Sequence, residues 1–223
     1  GYHYYDYDGG VDRGADPPPD GRYVVQAEAR DLVGHHVVVS DTLTIVNGGK
    51  PRALVVNGVI YWADAVRGLE GTEAYLPLGS TLCFTTYIEN YSRVPIRTSG
   101  PPSGTQYRSD QNFNTLAMEA DADSFHEQPG VWRFGVNLDV SETDFPYRWA
   151  VGTAEELRCE EIEGQEQCFL DPGERGTVSG CIELVGPFPR NQIFAWGGLI
   201  HQWVGIDAEN NYVDRISINI GEP

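Results

Sequence analysis

The chain is nearly devoid of lysine and methionine: Lys50 and Met118 are the only examples of each. Basic side chains number 15 against 33 acidic ones, for a net charge of −18 over 223 residues. A surface of that sign repels phosphate backbones and anionic headgroups, which argues against nucleic acid or charged lipid as a partner. Solubility, divalent-cation binding and adaptation to a salty medium are the uses of such a charge that remain. No run approaches the roughly eighteen consecutive apolar residues that a membrane helix needs, so no direct membrane insertion is expected. The opening Gly1-Tyr2-His3-Tyr4-Tyr5 lacks the basic start and apolar centre of a secretory leader, so a secreted protein would be represented here by a processed form.

Several chemical signatures are missing as well. There is no Cys-x-x-Cys and no close histidine pair of the zinc type. There is no Gly-x-Ser-x-Gly elbow, and Thr177-Val178-Ser179-Gly180 lies within an apparent strand, where a hydroxyl is ordinarily a pleat residue. Cysteines used in disulfides leave no thiolate nucleophile. Asp121 with Asp123, or Glu155 with Glu156, could pose as a glycosidase pair, but 33 acids make chance proximity common. His35 and His36 are neighbours on an expected turn and point apart. No catalytic residue is assigned, and the chain is read as a non-enzyme.

What is present speaks for β-structure. Gly (26) and Pro (14) are abundant, as turn-rich β proteins require, with 12 Tyr and 5 Trp beside them. Cys83, Cys159, Cys168 and Cys181 allow three pairings. Cys159 and Cys168 flank the acidic stretch Glu160 to Gln167, a hairpin or loop that a local disulfide would pin. Cys83 would then pair with Cys181. A disulfide framework points to an oxidising, extracellular or cell-surface setting.

Along the chain, residues 1–20 read as an extended acidic, Tyr-rich tail that ends in Asp16-Pro17-Pro18-Pro19-Asp20, where three prolines exclude sheet and helix. Residues 21–53 hold a hairpin and a linker. Tyr23, Val25, Ala27 and Ala29 alternate with Arg22, Gln26, Glu28 and Arg30; after a turn near Asp31 to His35, Val37, Val39, Leu43 and Ile45 form a second strand, and Asn47 to Pro51 carries turn chemistry. From 54 to 223 the pattern is one larger β-domain, with candidate strands at 54–62, 81–90, 131–140, 145–151, 176–185, 193–204 and 212–220. In the clearest, Trp132, Phe134, Val136 and Leu138 face inward while Arg133 and Asn137 face out. Thr115 to Ala122 is the one helical turn expected. The fold class is all-β: an antiparallel β-sandwich with an N-terminal β-hairpin and an extended tail.

The stretch Asp20-Gly21-Arg22-Tyr23-Val24-Val25 through Asp31-Leu32-Val33-Gly34-His35 to Leu43-Thr44-Ile45 resembles the final hairpin of immunoglobulin-like or fibronectin type III-like modules in bacterial extracellular surface proteins. The resemblance implies an immunoglobulin-like sandwich. Such a module has about seven strands, of which this stretch supplies two, and a lone hairpin is marginal in water. Its strands are expected to pack on the downstream domain or on a neighbouring molecule. Val94 to Pro102, Pro129 to Arg133 and Pro172-Gly173-Glu174 are similar to segments of bacterial extracellular β-sandwich domains; that likeness implies no activity.

The function expected is a subunit of a cell-surface filament or envelope layer, a homo-oligomer or polymer assembled head-to-tail by strand or tail exchange. Tyr2, Tyr4, Tyr5 and Tyr7 are its candidate subunit contacts, every second residue being aromatic. The alternative is a glycan- or ligand-binding module that uses the long loop from Thr98 to Asn114, with Tyr107 and Phe113 as contacts. No cofactor is required, although Asp6, Asp8, Asp12 and Asp16, spaced by glycines, form a candidate calcium loop that competes with a solvated acidic tail. Trp132 and Trp196 are read as core, and Asn90-Tyr91-Ser92 matches a glycosylation acceptor.

Overall fold

Alternating apolar residues form strands throughout the computed structural model, which describes residues 20–46, 49–119, 128–162 and 164–221. In chain order these are β1 (Gly21–Arg30), β2 (His36–Ile45), β3 (Ala53–Val55), β4 (Tyr61–Ala63), β5 (Glu73–Tyr75), β6 (Thr81–Asn90), β7 (Ile96–Thr98) and β8 (Gln106–Arg108). The short helix α1 (Phe113–Glu119) follows. Then come β9 (Trp132–Leu138), β10 (Tyr147–Ala150), β11 (Arg158–Ile162), β12 (Gln165–Leu170), β13 (Arg175–Glu183), β14 (Gln192–His201), β15 (Gly205–Ile206) and β16 (Val213–Asn219). The chain divides between Lys50 and Pro51 into two compact units.

The first unit contains the hairpin. β1 and β2 pair antiparallel over their full length, from Gly21 opposite Ile45 to Arg30 opposite His36. The turn between them is organised by Asp31, whose carboxylate accepts the amides of Val33 (3.0 Å) and His35 (2.8 Å). Gly34 sits at φ +96° there, a conformation that only glycine adopts freely.

The second unit is a sandwich of two sheets. One has nine strands, in the order β11-β12-β7-β9-β14-β16-β5, with β10 also on β9 and β15 on β14. The other has five, β3-β6-β13-β8, with β4 also on β6. They meet through aromatic rings: Phe84 of β6 lies 5.4 Å from Phe134 of β9 and 4.8 Å from Trp149 of β10, and Tyr107 of β8 lies 5.0 Å from Trp149. Gly180 is required on β13 because a Cβ there would overlap the Trp149 indole. Asn210 ties the sheets at one end, its side chain accepting the amide of Val55 (2.8 Å) and donating to the carbonyl of Ala53 (3.3 Å).

The expected all-β class holds, but the pairing is not purely antiparallel. β8 runs parallel to β13, β5 to β16 and β7 to β9. The sequence pattern misses these three-residue strands and the two-residue β15, since so few residues cannot display an alternation, and the strand expected at 54–62 is two, β3 and β4, separated by a turn over Val56–Gly58. The helix begins at Phe113, ahead of the expected Thr115, because Asn112 caps it: its side chain accepts the Thr115 amide (2.9 Å), and Thr115 Oγ1 accepts the Asn112 amide (2.8 Å). β9 is buried on both faces, Arg133 and Asn137 included, so the expectation that those two face solvent fails. They do point away from the inter-sheet core, but a central strand of a nine-stranded sheet is covered on that side as well.

Both disulfides form as the sequence suggested. Cys83 faces Cys181 across β6 and β13, and Cys159 faces Cys168 across β11 and β12. The paired Cα atoms are 4.0 and 4.1 Å apart, the close approach of directly opposed antiparallel residues. Each bridge thus lies within one sheet, whereas the disulfide of antibody domains joins two.

Candidate functional site

The hairpin's register divides its side chains between a mainly apolar face and a mainly polar one. Tyr23, Val25, Ala27 and Ala29 share a face with Val37, Val39, Leu43 and Ile45. Arg22, Val24, Gln26, Glu28 and Arg30 share the other with His36, Val38, Ser40, Thr42 and Thr44. The first face is that of a core strand pair, yet Val25, Val37 and Val39 are 50%, 58% and 62% exposed. Two strands have no second layer of their own to cover such a face. Asp41, opposite Val25, is its one charged member.

The histidines at the turn part company. His35 Nδ1 meets Asp31 at 2.6 Å, and His36 Nε2 meets Glu28 at 2.9 Å. Hydrogen bonds from the His35 amide and ring, and from the Val33 and Gly34 amides, hold the Asp31 carboxyl below its usual range. The pair therefore stabilises the turn and presents no shared metal site.

The sandwich carries an open cleft of about 350 Å³ between the loops that follow β8, β9 and β13. Leu138, Pro146, Tyr147 and Phe188 make its apolar wall, and Asp110 and Glu142 are its charged members, with no cationic side chain in the lining. Arg108 holds Asp110 by two hydrogen bonds (3.0 and 2.9 Å), which lower its pKa. An anion would be repelled from this cleft.

Behind it lies an arginine clamp. Arg133 is fully buried, donates through Nε to Ser99 O (2.7 Å) and stacks over the Phe113 ring at 4.3 Å. Arg133 and Arg148 both donate to Gln202 Oε1 at 3.0 Å. The clamp fixes the 98–114 loop to the sheet.

That anchoring removes the expected glycan contacts. Tyr107 is wholly buried, donates its hydroxyl to Arg148 O (2.8 Å) and is pushed to a higher pKa by burial. Phe113 is 3% exposed under the arginines. Neither presents a surface to a ligand, because the loop uses its aromatics to close the core. Asn90 is also buried: its amide donates to Val94 O (2.8 Å) and Leu170 O (2.9 Å). The glycosylation match is therefore a structural corner.

Glu156 is a bracing group. It accepts the amides of Thr153 (2.8 Å) and Thr177 (2.7 Å) and the hydroxyl of Thr177 (2.6 Å). Partial burial raises its pKa, but these bonds prevail and hold it below the ordinary value of 4.5. A carboxyl so stabilised as an anion is a poor general acid. Ser179 bonds Ser103, with its amide 2.8 Å from that hydroxyl, and so takes part in a loop anchor. Tyr2, Tyr4, Tyr5, Tyr7, Asp6, Asp8, Asp12, Asp16, Asp121 and Asp123 lie outside the described residues. Among the described residues, no group of three or more His, Cys, Asp or Glu side chains could hold a metal ion.

Two disulfides define a protein suited to an oxidising environment. No helix among the described residues is long and apolar enough to cross a membrane. No family model, curated protein or solved structure matches the chain.

Proposed function

We propose that this protein is a non-enzymatic extracellular structural subunit of a cell-surface filament or envelope layer, joined to its neighbours through the β1–β2 hairpin. The observation that carries the reading is the exposed apolar face of Val25, Val37 and Val39. Among the described residues no third strand pairs with β1 or β2, and the edge of a ten-residue strand is able to extend a sheet. In this reading the hairpin is the closing pair of an immunoglobulin-like module, and a second copy supplies the missing layer. Repetition of one such heterologous contact gives an open chain of subunits.

Charge supports the choice of surface. Residues 20–50 carry Asp20, Glu28, Asp31 and Asp41 against Arg22, Arg30 and Lys50, a net of −1, so the rest of the chain holds −17 of the total −18. Copies of so acidic a protein meet with least repulsion at the hairpin, and added salt should strengthen the contact by screening the remainder.

Light scattering and electron microscopy of the intact chain test the proposal, beside the variant Val25→Asp/Val39→Asp. Assemblies that grow with salt and disappear in the variant are expected. Monomers of the intact chain at every salt concentration, or assemblies indifferent to the two aspartates, overturn it.

A further inference from the structure

The outer face of the nine-stranded sheet contains a second feature, independent of assembly. Trp196 of β14 and Asn137 of β9 are register partners. Their neighbours Ala195, Val136 and Leu138 belong to the inter-sheet core, so pleat alternation turns Trp196 and Asn137 to the opposite face. They are 8% and 7% exposed. Trp196 Nε1 and Asn137 Oδ1 are two of only three buried side-chain polar atoms without a hydrogen-bond partner among the described residues. Buried polar groups are nearly always satisfied, because each has given up its hydration. Here an orphan donor and an orphan acceptor sit on facing positions.

The surroundings are mainly aromatic: Phe194 packs on the same cluster and carries the Arg215 guanidinium 3.7 Å over its ring. Phe145 and Ile200 pack beside Trp196. Tyr212 stacks on it, with centroids 4.9 Å apart and planes 24° from parallel, yet remains 64% exposed. A β-bulge brings Tyr212 there: the β14–β16 register shifts between Ala195 and Gly197, and Tyr212 and Asp214 take φ of +58° and +46°. Asp214 pins the bulge from below by accepting the Ile60 amide (2.7 Å) on its carboxylate and the Trp62 indole N–H (2.8 Å) on its carbonyl.

From this arrangement we infer that Trp196, Asn137 and Tyr212 form a binding site for a neutral sugar ring. A hydroxyl is the simplest group that satisfies both orphans at once, accepting from Trp196 Nε1 and donating to Asn137 Oδ1. The C–H face of the same ring lies against the indole, an apolar wall with a few fixed polar groups being the usual make-up of a small-ligand site. Tyr212 is the cover; its exposed ring swings aside and the sugar takes its place on Trp196. A carboxylated or phosphorylated ligand would meet the chain's net negative field, which the single Arg215 beside Phe194 offsets only in part.

The test uses the full chain in affinity electrophoresis through gels containing laminarin, xylan, galactomannan or glycol chitin, followed by calorimetry with the matching oligosaccharides. Retardation by at least one of the four is expected. Asn137→Leu removes the acceptor at similar volume and should weaken binding by about tenfold without loss of thermal stability, whereas a purely structural Asn137 would show the reverse. Trp196→Phe keeps a ring and removes the N–H, and should weaken binding in the same way if Asn137→Leu folds poorly. Tyr61→Ala, on the other sheet, should bind as the parent does. Failure of all four polysaccharides to retard the protein, or equal binding by Asn137→Leu and Trp196→Phe, overturns the site and leaves a bridging water as the partner of the two atoms.

Discussion

The β1–β2 pair and the β6–β13 pair are built alike and end differently. Both are long antiparallel ladders of nine to ten residues with an apolar face and a polar face. In β6, Leu82, Phe84 and Ile88 are buried to within 3% of completely. In β2, Val37, Val39 and Leu43 occupy equivalent alternate positions and stay 37–62% exposed. The difference lies in what stands opposite: β6 packs against the nine-stranded sheet, and the described residues of the hairpin unit form no second sheet. An amphipathic strand therefore announces that a face wants cover, while burial is conferred by a partner layer.

The comparison yields predictions of decreasing size. The Cys83–Cys181 bridge closes a span of 98 residues and Cys159–Cys168 one of 9. Chain-entropy estimates give about 4.7 kcal/mol for the first and roughly 2.6 for the second. Denaturant unfolding of the two double Ser variants should preserve that order, and the hairpin unit should be indifferent to both. Leu82→Ala, in the sealed core, should cost about 3 kcal/mol, whereas Leu43→Ala in the hairpin should cost only about 0.5 kcal/mol under conditions where the protein is monomeric. Equal costs in chemical denaturation would mean that the hairpin face is buried in solution and would break the contrast drawn here.

The smallest expected effect is one of pH. Glu156 has a folded pKa below its ordinary 4.5, so it favours the folded state when ionised. Its contribution is present at neutral pH and is lost as pH falls below about 4.5, where the unfolded chain takes up the proton first. Glu156→Gln should lower stability at pH 7 and make the acid limb shallower, which thermal melts between pH 3 and 7 would read. The hairpin turn should respond with the same sign, because its hydrogen bonds also hold the Asp31 carboxyl below its usual range.

The long strands were legible because alternation over seven or more residues leaves little choice: β6 was expected at 81–90 and spans those residues, and β9 was placed within one or two residues at each end. The acidic span between Cys159 and Cys168 proved to be the β11–β12 hairpin, with the two cysteines directly opposed. The parallel strands β5, β7 and β8 were hidden by their shortness. Tyr107 and Phe113 were misjudged because a long loop rich in Gly and Pro looks free, and nothing local announces that Arg133 and Arg148 lie beneath it. The orphan pair at Trp196 and Asn137 had only a faint signal. Trp196 was read as core, and the pattern of β9 put Asn137 on the correct side, but their pairing across β14 and β9 depends on a register the sequence does not state.

The sequence by itself determined the all-β class, the long strands, the inward faces of β6, β9, β13 and β16, and a cysteine arrangement consistent with the two bridges. These follow from periods of two residues and from local spacing, which are properties of neighbours along the chain. Only the tertiary structure decided which sheet each strand joins, where strands run parallel, that Arg133 is buried, and which aromatics close the core. Those outcomes depend on residues far apart in the chain meeting across a core, and no local pattern encodes that meeting.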